Sequence, residues 1–222
     1  MDILSSHIIR RILSERGFSP KKRLGQNFLT SASVRDAVVE AGAVSATDTV
    51  LEIGPGLGAL TRALIRKAGR VVAVEKDKDL FSILQETFGH VPHLTLLNRD
   101  ILSVSPEEIV QPPYKVVANL PYSITSPVIR MFLETAFRPS CMALMVQKEV
   151  AKRICAPPPS MTLLAASVQY YASPRIARTV KKTSFWPVPA VDSAILVITP
   201  FPNAPSKTEA EMFFSVVRAG FL

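Results

Sequence analysis

Short apolar runs alternate with segments of helical periodicity through most of this chain. Several of the runs are apolar at nearly every position, which is typical of strands that are buried on both faces of a sheet. Such strands need helices on both sides of the sheet to cover them. The pattern predicts strands at Thr49–Ile53, Arg70–Glu75, Leu94–Asn98, Tyr114–Asn119, Cys141–Gln147, 175–180 and 194–199.

Between these runs, apolar residues recur every three or four positions, as they do on one face of an α-helix. We predict helices over residues 3–16, 31–42 and Lys78–Phe88. Another helix is expected with Ser126 as its N-cap and Pro127 at its first position. The alternation of strands and helices predicts an α/β fold with an open, Rossmann-like sheet.

The composition changes after the last predicted strand. Residues 1–200 hold all the predicted strands and are expected to form a catalytic domain with a basic N-terminal extension. Residues 200–205 are rich in proline and are typical of a linker, and residues 206–209 form a capping box that opens a final helix. We therefore expect residues 201–222 to begin a small helical domain that continues beyond the end of this chain.

The chain carries 26 Lys and Arg against 18 Asp and Glu, which gives a formal net charge of +8. This excess indicates a polyanionic partner. RNA is favoured over a merely solvated basic surface, because two basic clusters flank the candidate site described below. The first cluster comprises Arg10, Arg11, Arg16, Lys21, Lys22 and Arg23, and the second comprises Arg175, Arg178, Lys181 and Lys182.

No apolar run approaches the roughly 18 residues of a membrane span, and no signal-peptide pattern opens the chain. Asp2 and Glu15 argue against a mitochondrial presequence at the N-terminus. Cys141 and Cys155 have neither metal-ligand spacing nor the pattern of a disulfide framework. We expect a cytoplasmic, monomeric protein that does not bind a metal ion or a membrane.

Gly54, Gly56 and Gly58 follow the strand that contains Glu52, where glycine lets the backbone turn sharply and approach a ligand. A dinucleotide-binding loop would have glycine or alanine where Thr61 stands, and Glu52 would repel a pyrophosphate. These two features argue against a nicotinamide oxidoreductase. An acid at this position suits a cationic ligand, such as the sulfonium and amino groups of S-adenosylmethionine.

Polar residues also end the next predicted strands. Glu75 is placed to accept hydrogen bonds from both ribose hydroxyls of a cofactor. Asp100 is a candidate acceptor for the cofactor's adenine amine, and helix capping before Ile101 is the alternative. Because ligands bind outside the carboxyl ends of strands in such sheets, we expect Glu52, Glu75, Asp100 and Asn119 to share one site.

Residues 119–122 have what is needed to hold a planar exocyclic amine. An adenine amine is a poor nucleophile because its lone pair is delocalised into the ring. The side-chain oxygen of Asn119 and the carbonyl of Leu120 are two acceptors that favour a localised lone pair, and Pro121 stiffens their turn. Tyr122 is placed to stack on the purine, which contributes roughly 1–3 kcal/mol. A strand-ending turn with a core tyrosine is the alternative.

A second aromatic loop covers residues 185–189. Phe185 is a candidate for the opposite face of an adenine sandwich, and a hydrophobic plug between strands is an equally good alternative. A base must leave its stack to enter such a pocket. The glycine loop at residues 52–58 and residues 119–122 together predict methyl transfer from S-adenosylmethionine to the amine of an adenine, with catalysis mainly by orientation.

Five motifs occur in order, at residues 24–29, 52–58, 119–127, 147–151 and 185–193. With them the chain resembles the ribosomal RNA adenine dimethyltransferases that modify two adjacent adenosines near the 3′ end of small-subunit rRNA. The resemblance covers essentially the whole chain. It implies S-adenosylmethionine as the donor, N6,N6-dimethyladenosine as the product, and small-subunit rRNA in a partly assembled ribosomal subunit as the partner.

The resemblance also implies roles for individual residues. It adds Gln26 and Asn27 at the edge of the cofactor site, and it gives Tyr122 and Phe185 the stacking of the base. The expected catalytic residues are Asn119, Leu120, Pro121, Tyr122 and Phe185. The expected cofactor-binding residues are Gln26, Asn27, Leu29, Glu52, Gly54, Gly56, Gly58, Glu75, Lys76, Asp100, Ile101 and Asn119.

Two departures from the family pattern concern RNA binding. The proline-rich residues 156–161 replace a Gly/Ser-rich loop that usually contains tyrosine, and the chain ends before the basic motif of the family's helical C-terminal domain.

Among rival groups, the large-subunit rRNA methyltransferases of macrolide resistance share Gln-Asn-Phe and Asn-x-Pro-Tyr. Leu24, Gly25 and Leu120 favour the small-subunit group. An assembly or transcription factor that has lost its chemistry is disfavoured, because the expected site residues are intact.

Overall fold

The computed structural model describes residues 3–21, 24–203, 205 and 207–220. Lys22 and Arg23 of the first basic cluster and Ser206 of the predicted capping box lie outside these residues. Asp2 and Leu222 also lie outside them.

The described residues form a sheet of seven strands and a separate pair of short strands. The strands are β1 (Phe28–Leu29), β2 (Thr49–Ile53), β3 (Arg70–Glu75), β4 (Leu94–Asn98), β5 (Tyr114–Asn119), β6 (Cys141–Gln147), β7 (Ala172–Val180), β8 (Phe185–Trp186) and β9 (Ser193–Pro200). The sheet has the order β4-β3-β2-β5-β6-β9-β7, and β1 pairs with β8. The expected Rossmann-like α/β fold is confirmed.

The direction of the strands places a crevice at one edge of the sheet. Strands β2 to β6 are parallel, whereas β9 runs antiparallel to both β6 and β7. From β2 the chain adds β3 and β4 on one side, and it then returns to add β5 and β6 on the other. The carboxyl ends of β2 and β5 therefore meet at the point where the strand order reverses, which is where open α/β sheets bind ligands.

Helices connect most of these strands and cover the sheet. They are α1 (Ser6–Glu15), α2 (Ala32–Ala41), α3 (Ala59–Leu64), α4 (Lys78–Phe88), α5 (Pro106–Ile109), α6 (Thr125–Glu134), α7 (Lys148–Ile154), α8 (Leu163–Gln169) and α9 (Lys207–Gly220). Asp77 caps α4 by accepting a hydrogen bond from the backbone N–H of Asp79 at 3.0 Å. Short 3₁₀ turns lie at Ile101–Ser103, Tyr122–Ile124 and Lys182–Ser184.

The buried apolar side chains form clusters on both faces of the sheet. Val50 and Leu51 are neighbours in β2 and both are fully buried, yet they belong to different clusters, because successive strand residues point to opposite faces. Phe132 of α6 packs in the cluster of Leu51, and Val38 of α2 packs in the cluster of Val50. This explains why the strands are apolar at nearly every position.

The seven predicted strands are confirmed, and the last two are longer than expected. One helix start was wrong: α6 begins at Thr125 with Ile124 in the cap position, and Ser126 lies inside its first turn. The reason is that the 3₁₀ turn before it runs directly into the helix, which leaves no extended residue at Ser126. The pair β1 and β8 was not predicted, because two-residue strands carry no periodicity.

Helix α9 packs on the end of α8 through aromatic side chains. Phe213 stacks on Tyr170 with 4.0 Å between ring centroids, and Phe214 meets the same ring edge-on at 5.5 Å. Met212 and Val216 on this helix are 64% and 72% exposed. The division into residues 1–200 and 201–222 stays a prediction.

Candidate active site

A cleft lies at the carboxyl ends of β2 and β5. The N-terminal segment, the loop after β2, the ends of β3 and β4, and the segment after β5 line it. Its lining includes Ile3, residues 24–29, residues 52–57, Glu75, Lys76, residues 99–101 and residues 119–124. All the expected site residues therefore lie around one cleft, except Gly58 and Phe185.

The glycine loop between β2 and α3 has a backbone that side chains would disfavour. Gly54, Gly56 and Gly58 have φ angles of +65°, +61° and +85°. A Cβ on Gly58 would lie 2.3 Å from Cε2 of Phe88, so a side chain does not fit there. Gly58 thus packs against Phe88 and does not line the cleft, whereas Gly54 and Gly56 do.

Glu52 is a buried acid with one unsatisfied oxygen. Its side chain lines the cleft although the residue is only 1% exposed. Oε2 accepts a hydrogen bond from Oγ1 of Thr61 at 2.7 Å, whereas Oε1 has no hydrogen-bond partner among the described residues. Burial raises the pKa of Glu52 to about 8, and the hydrogen bond from Thr61 only partly offsets this effect. A buried polar atom without a partner indicates a place for a ligand group.

Glu75 is also buried, but both of its carboxylate oxygens have partners. Oε2 accepts the backbone N–H of Gly56 at 3.0 Å, and Oε1 accepts the backbone N–H of Asp77 at 2.8 Å. Burial raises the pKa of Glu75, although these two hydrogen bonds oppose the rise. Glu75 therefore fixes the glycine loop, and each oxygen keeps a second lone pair for a ligand hydroxyl.

The N-terminal segment closes one side of the cleft through polar contacts. Nε2 of Gln26 donates to Oδ2 of Asp77 at 2.9 Å, and Nζ of Lys21 lies 2.9 Å from the same oxygen. Burial acts to raise the pKa of Asp77, but these contacts outweigh it and lower the pKa. Gln26 thus lies at the edge of the cleft, and Asn27 and Leu29 follow it along the lining.

Lys76 and Asp100 form an ion pair at the ends of β3 and β4, with 2.6 Å between Nζ and Oδ2. Oδ1 of Asp100 accepts the backbone N–H of Leu102 at 3.1 Å, so Asp100 caps the turn that begins at Ile101. The hydrogen bond from Lys76 lowers the pKa of Asp100. The capping alternative is thus the arrangement observed, and contact between Asp100 and a cofactor adenine stays a prediction.

Two hydrogen-bond acceptors lie next to each other at the end of β5. Nδ2 of Asn119 donates to the carbonyl of Asn27 at 3.1 Å, which holds the amide in place. The backbone N–H of Leu120 donates to the carbonyl of Met145 at 3.2 Å. Neither Oδ1 of Asn119 nor the carbonyl of Leu120 accepts a hydrogen bond in the part of the chain that the structure describes. Both are therefore available to a ligand.

Pro121 and Tyr122 complete this side of the cleft. A Cβ on Gly25 would lie 3.4 Å from Cβ of Pro121, so the N-terminal segment packs closely on the turn. The hydroxyl of Tyr122 lies 2.9 Å from Oγ of Ser193. Burial raises the pKa of Tyr122, so the phenol is neutral at physiological pH. Its ring is held at the cleft, and its stacking on a base stays a prediction.

Phe185 does not line the cleft. The residue is 3% exposed and is paired with Leu29 across β1 and β8. It packs in the apolar cluster that also contains Leu4 and Val180. This packing matches the hydrophobic-plug alternative, and stacking of Phe185 on a base stays a prediction.

Two residues that the sequence did not suggest take part in the site. Thr61 donates to Glu52 and Asp77 accepts from Gln26. Asp77 carried a signal, because an Asp before a helical pattern is a good N-cap. Thr61 was conspicuous only as a departure from a dinucleotide-binding loop.

The two basic clusters differ in their partners. Arg175 and Arg178 are exposed on β7, the edge strand of the sheet. In the first cluster, by contrast, Arg16 pairs with Glu86, and Lys21 pairs with acids at the start of α4. Part of the N-terminal positive charge therefore forms ion pairs within the protein.

Among the described residues, no helix has the length and apolar character that a membrane crossing requires. No group of three or more His, Cys, Asp or Glu side chains in that part of the chain is placed to hold a metal ion. Cys141 and Cys155 do not form a disulfide.

Comparison with known proteins identifies the family. The family described as Ribosomal RNA adenine dimethylase matches residues 17–222. Ribosomal RNA small subunit methyltransferase A of Dehalococcoides mccartyi is 47% identical over 90% of this chain and 70% of that protein. Its counterpart in Moorella thermoacetica is 42% identical over 95% of this chain and 77% of that protein. The crystal structure of 23S rRNA methyltransferase ErmE is similar with a TM-score of 0.76, at 27% identity over 86% of this chain and 78% of that one. The chain belongs to the ribosomal RNA adenine dimethylase family.

Proposed function

We propose that the protein transfers methyl groups from S-adenosylmethionine to N6 of two adjacent adenosines near the 3′ end of small-subunit rRNA. The product is N6,N6-dimethyladenosine. The observation that carries this proposal is the pair of unused acceptors at Asn119 and Leu120, which share one cleft with the buried acids Glu52 and Glu75. The relatives named small subunit methyltransferase, at 42% and 47% identity, support the choice of RNA.

The residues of the cleft fit S-adenosylmethionine. Oε1 of Glu52 is a buried acceptor without a partner, which suits a cationic group. Glu75 suits the ribose hydroxyls, and Gly54 and Gly56 leave the backbone open to close approach. When bound, the cofactor supplies an electrophilic methyl group to this cleft.

The chain's own contribution to the reaction is to orient the adenine amine. Oδ1 of Asn119 and the carbonyl of Leu120 would accept its two N–H groups, which localises the lone pair on nitrogen. The contact between Asn119 and Asn27 keeps the amide from rotating. Positioned acceptors of this kind need no reorganisation during the reaction, so orientation lowers the barrier.

The neutral, half-buried ring of Tyr122 would stack on one face of the target base. Stacking on an aromatic side chain contributes roughly 1–3 kcal/mol per base. This gain offsets part of the cost of taking the adenosine out of its RNA stack.

We further propose that the substrate is a partly assembled small subunit in the cytoplasm and that the enzyme acts as a monomer. The exposed arginines of β7 and the net charge of +8 support binding to an RNA surface. This electrostatic contribution predicts that binding weakens as salt is raised.

The test uses small ribosomal subunits that lack these methyl groups, incubated with the protein and methyl-labelled S-adenosylmethionine. Nucleoside analysis of the digested RNA identifies the product and its position. We expect dimethyladenosine at the adjacent pair near the 3′ end, and less label on deproteinised RNA. Label confined to large-subunit RNA, tested in parallel, would contradict the proposal and favour the activity of ErmE-like enzymes.

A further inference from the structure

The two oxygens of the Glu52 carboxyl group have unequal surroundings. Oε2 accepts the hydroxyl of Thr61 at 2.7 Å, and Oε1 is buried without a partner among the described residues. A buried acceptor left without a hydrogen bond is unfavourable. An arrangement of this kind at the floor of a cleft indicates that a ligand completes it.

The hydroxyl of Thr61 makes the surroundings of the two Glu52 oxygens unequal. Thr61 lies in the first turn of α3, is fully buried, and reaches back across the glycine loop to Glu52. A threonine hydroxyl can donate only one hydrogen bond, so it serves one carboxylate oxygen and not the other. A dinucleotide-binding loop has glycine or alanine at this position and lacks such a donor.

We propose that Thr61 is a positioning residue for the methyl donor: it holds Glu52 through Oε2 and thereby presents Oε1 to the cationic part of S-adenosylmethionine. This inference rests on the proposed function, because it assumes that donor. It assigns to Thr61 a role in selecting a cationic cofactor.

Before the cofactor binds, Glu52 can hold a proton as the neutral acid. Burial and the nearby charge of Glu75 favour this neutral form in the protein without cofactor. A cationic group at Oε1 then replaces the proton, which is released to solvent, so the charge inside the cleft is balanced before and after binding.

The experiment measures the affinity of two ligands by calorimetry between pH 6 and pH 9. S-Adenosylmethionine carries the cationic groups, and 5′-methylthioadenosine keeps the adenosine and the sulfur without them. The proteins are the wild type, Thr61→Val, which removes the hydroxyl at nearly constant shape, Thr61→Ser, which restores a hydroxyl, and Glu52→Gln. Circular dichroism checks that each variant is folded.

We expect Thr61→Val to weaken S-adenosylmethionine by about tenfold or more and methylthioadenosine by less than about twofold. Thr61→Ser should regain most of the loss. In the wild type, affinity for S-adenosylmethionine should rise with pH and level off above about pH 8. Thr61→Val should move this rise to higher pH, and Glu52→Gln should abolish the part that the carboxyl group contributes.

Equal weakening of both ligands by Thr61→Val would overturn the inference and leave a structural role for the hydroxyl. An unchanged affinity and pH profile in that variant would also overturn it. Where methylthioadenosine binds too weakly to measure, the pH profile decides. A wild type that binds neither ligand would contradict the proposed function itself, so the two failures are distinguishable.

Discussion

The two sides of the cleft differ in how many of their polar groups already have hydrogen-bond partners within the protein. On the donor side, formed by Glu52, Glu75 and the glycine loop, the polar side chains are buried and fixed by hydrogen bonds. On the acceptor side, where the methyl acceptor would bind, residues 119–122 offer two hydrogen-bond acceptors without partners, and Tyr122 supplies only one aromatic face. Phe185, the expected second face, lies in the core.

This difference shows what strand ends and loops each contribute. Glu52 lies one residue before the end of β2, and Glu75 ends the adjacent parallel strand β3, so the register of the sheet determines where these acids lie. On the acceptor side Asn119 ends β5, but residues 120–122 and the short pair β1–β8 lie outside the seven-stranded sheet. We therefore expect donor-side substitutions to affect cofactor affinity and acceptor-side substitutions to affect methyl transfer.

The largest effect is expected at Phe185. Phe185→Ala should lower the free energy of unfolding by about 3–5 kcal/mol, because it removes a buried ring from a packed cluster. Denaturant unfolding measures this change. The control is Val188→Ala in the same loop, where the side chain is 56% exposed and the change should stay within about 0.5 kcal/mol. An unchanged stability with lost methyl transfer would contradict this prediction and support the stacking role of Phe185.

The next effect concerns the pH dependence of stability. The pKa of Glu52 is raised to about 8 from its ordinary value of 4.5, so between these values the folded protein keeps a proton that the unfolded chain has released. This contribution to stability is complete below about pH 4.5 and is lost as the pH rises to about 8. Relative to Glu52→Gln, the wild-type Tm should fall by several degrees over this window. If the Tm of the wild type and the Tm of Glu52→Gln changed with pH in the same way, the burial of a protonated Glu52 would be contradicted.

Glu75→Gln tests the donor side at its best-satisfied acid. The amide keeps the shape but offers one acceptor oxygen where two backbone N–H groups now bind. Affinity for S-adenosylmethionine should fall by about tenfold or more, while methyl transfer at saturating cofactor changes little. The matched control is Glu86→Gln, an exposed acid on α4, which should change affinity by less than about twofold. Unchanged affinity in Glu75→Gln would remove its proposed role at the ribose.

The smallest effect separates the ring of Tyr122 from its hydroxyl. Tyr122→Phe loses the contact with Ser193 but keeps the ring, so methyl transfer should change by less than about threefold. Tyr122→Ala loses the stacking surface and should reduce transfer about tenfold, in line with roughly 1–3 kcal/mol per stacked base. Single-turnover assays of both variants measure this. Equal losses would show that the hydroxyl, not the ring, matters.

The sequence was sufficient for the sheet and for most of the cleft. Apolar runs identified all seven strands of the sheet, and the rule that ligands bind at carboxyl strand ends brought Glu52, Glu75, Asp100 and Asn119 to one cleft. These features are encoded locally, by residues that lie within or directly after a strand.

What the sequence did not reveal depends on contacts between distant segments. The burial of Phe185 follows from its pairing with Leu29, which lies 156 positions earlier in the chain. The contact between Thr61 and Glu52 spans a loop whose shape is set by three glycines with positive φ angles. Neither contact has a periodicity or a spacing that could be detected before the chain is folded.

The division of the cleft into two sides is tested by cofactor affinity and single-turnover methyl transfer, both measured for Asn119→Ala. We predict that affinity for S-adenosylmethionine stays within about threefold of the wild type, while transfer falls by about 100-fold or more, because a positioned hydrogen-bond acceptor for the amine is lost. Equal losses of affinity and transfer would contradict the division of the cleft and make Asn119 a residue that supports the donor side.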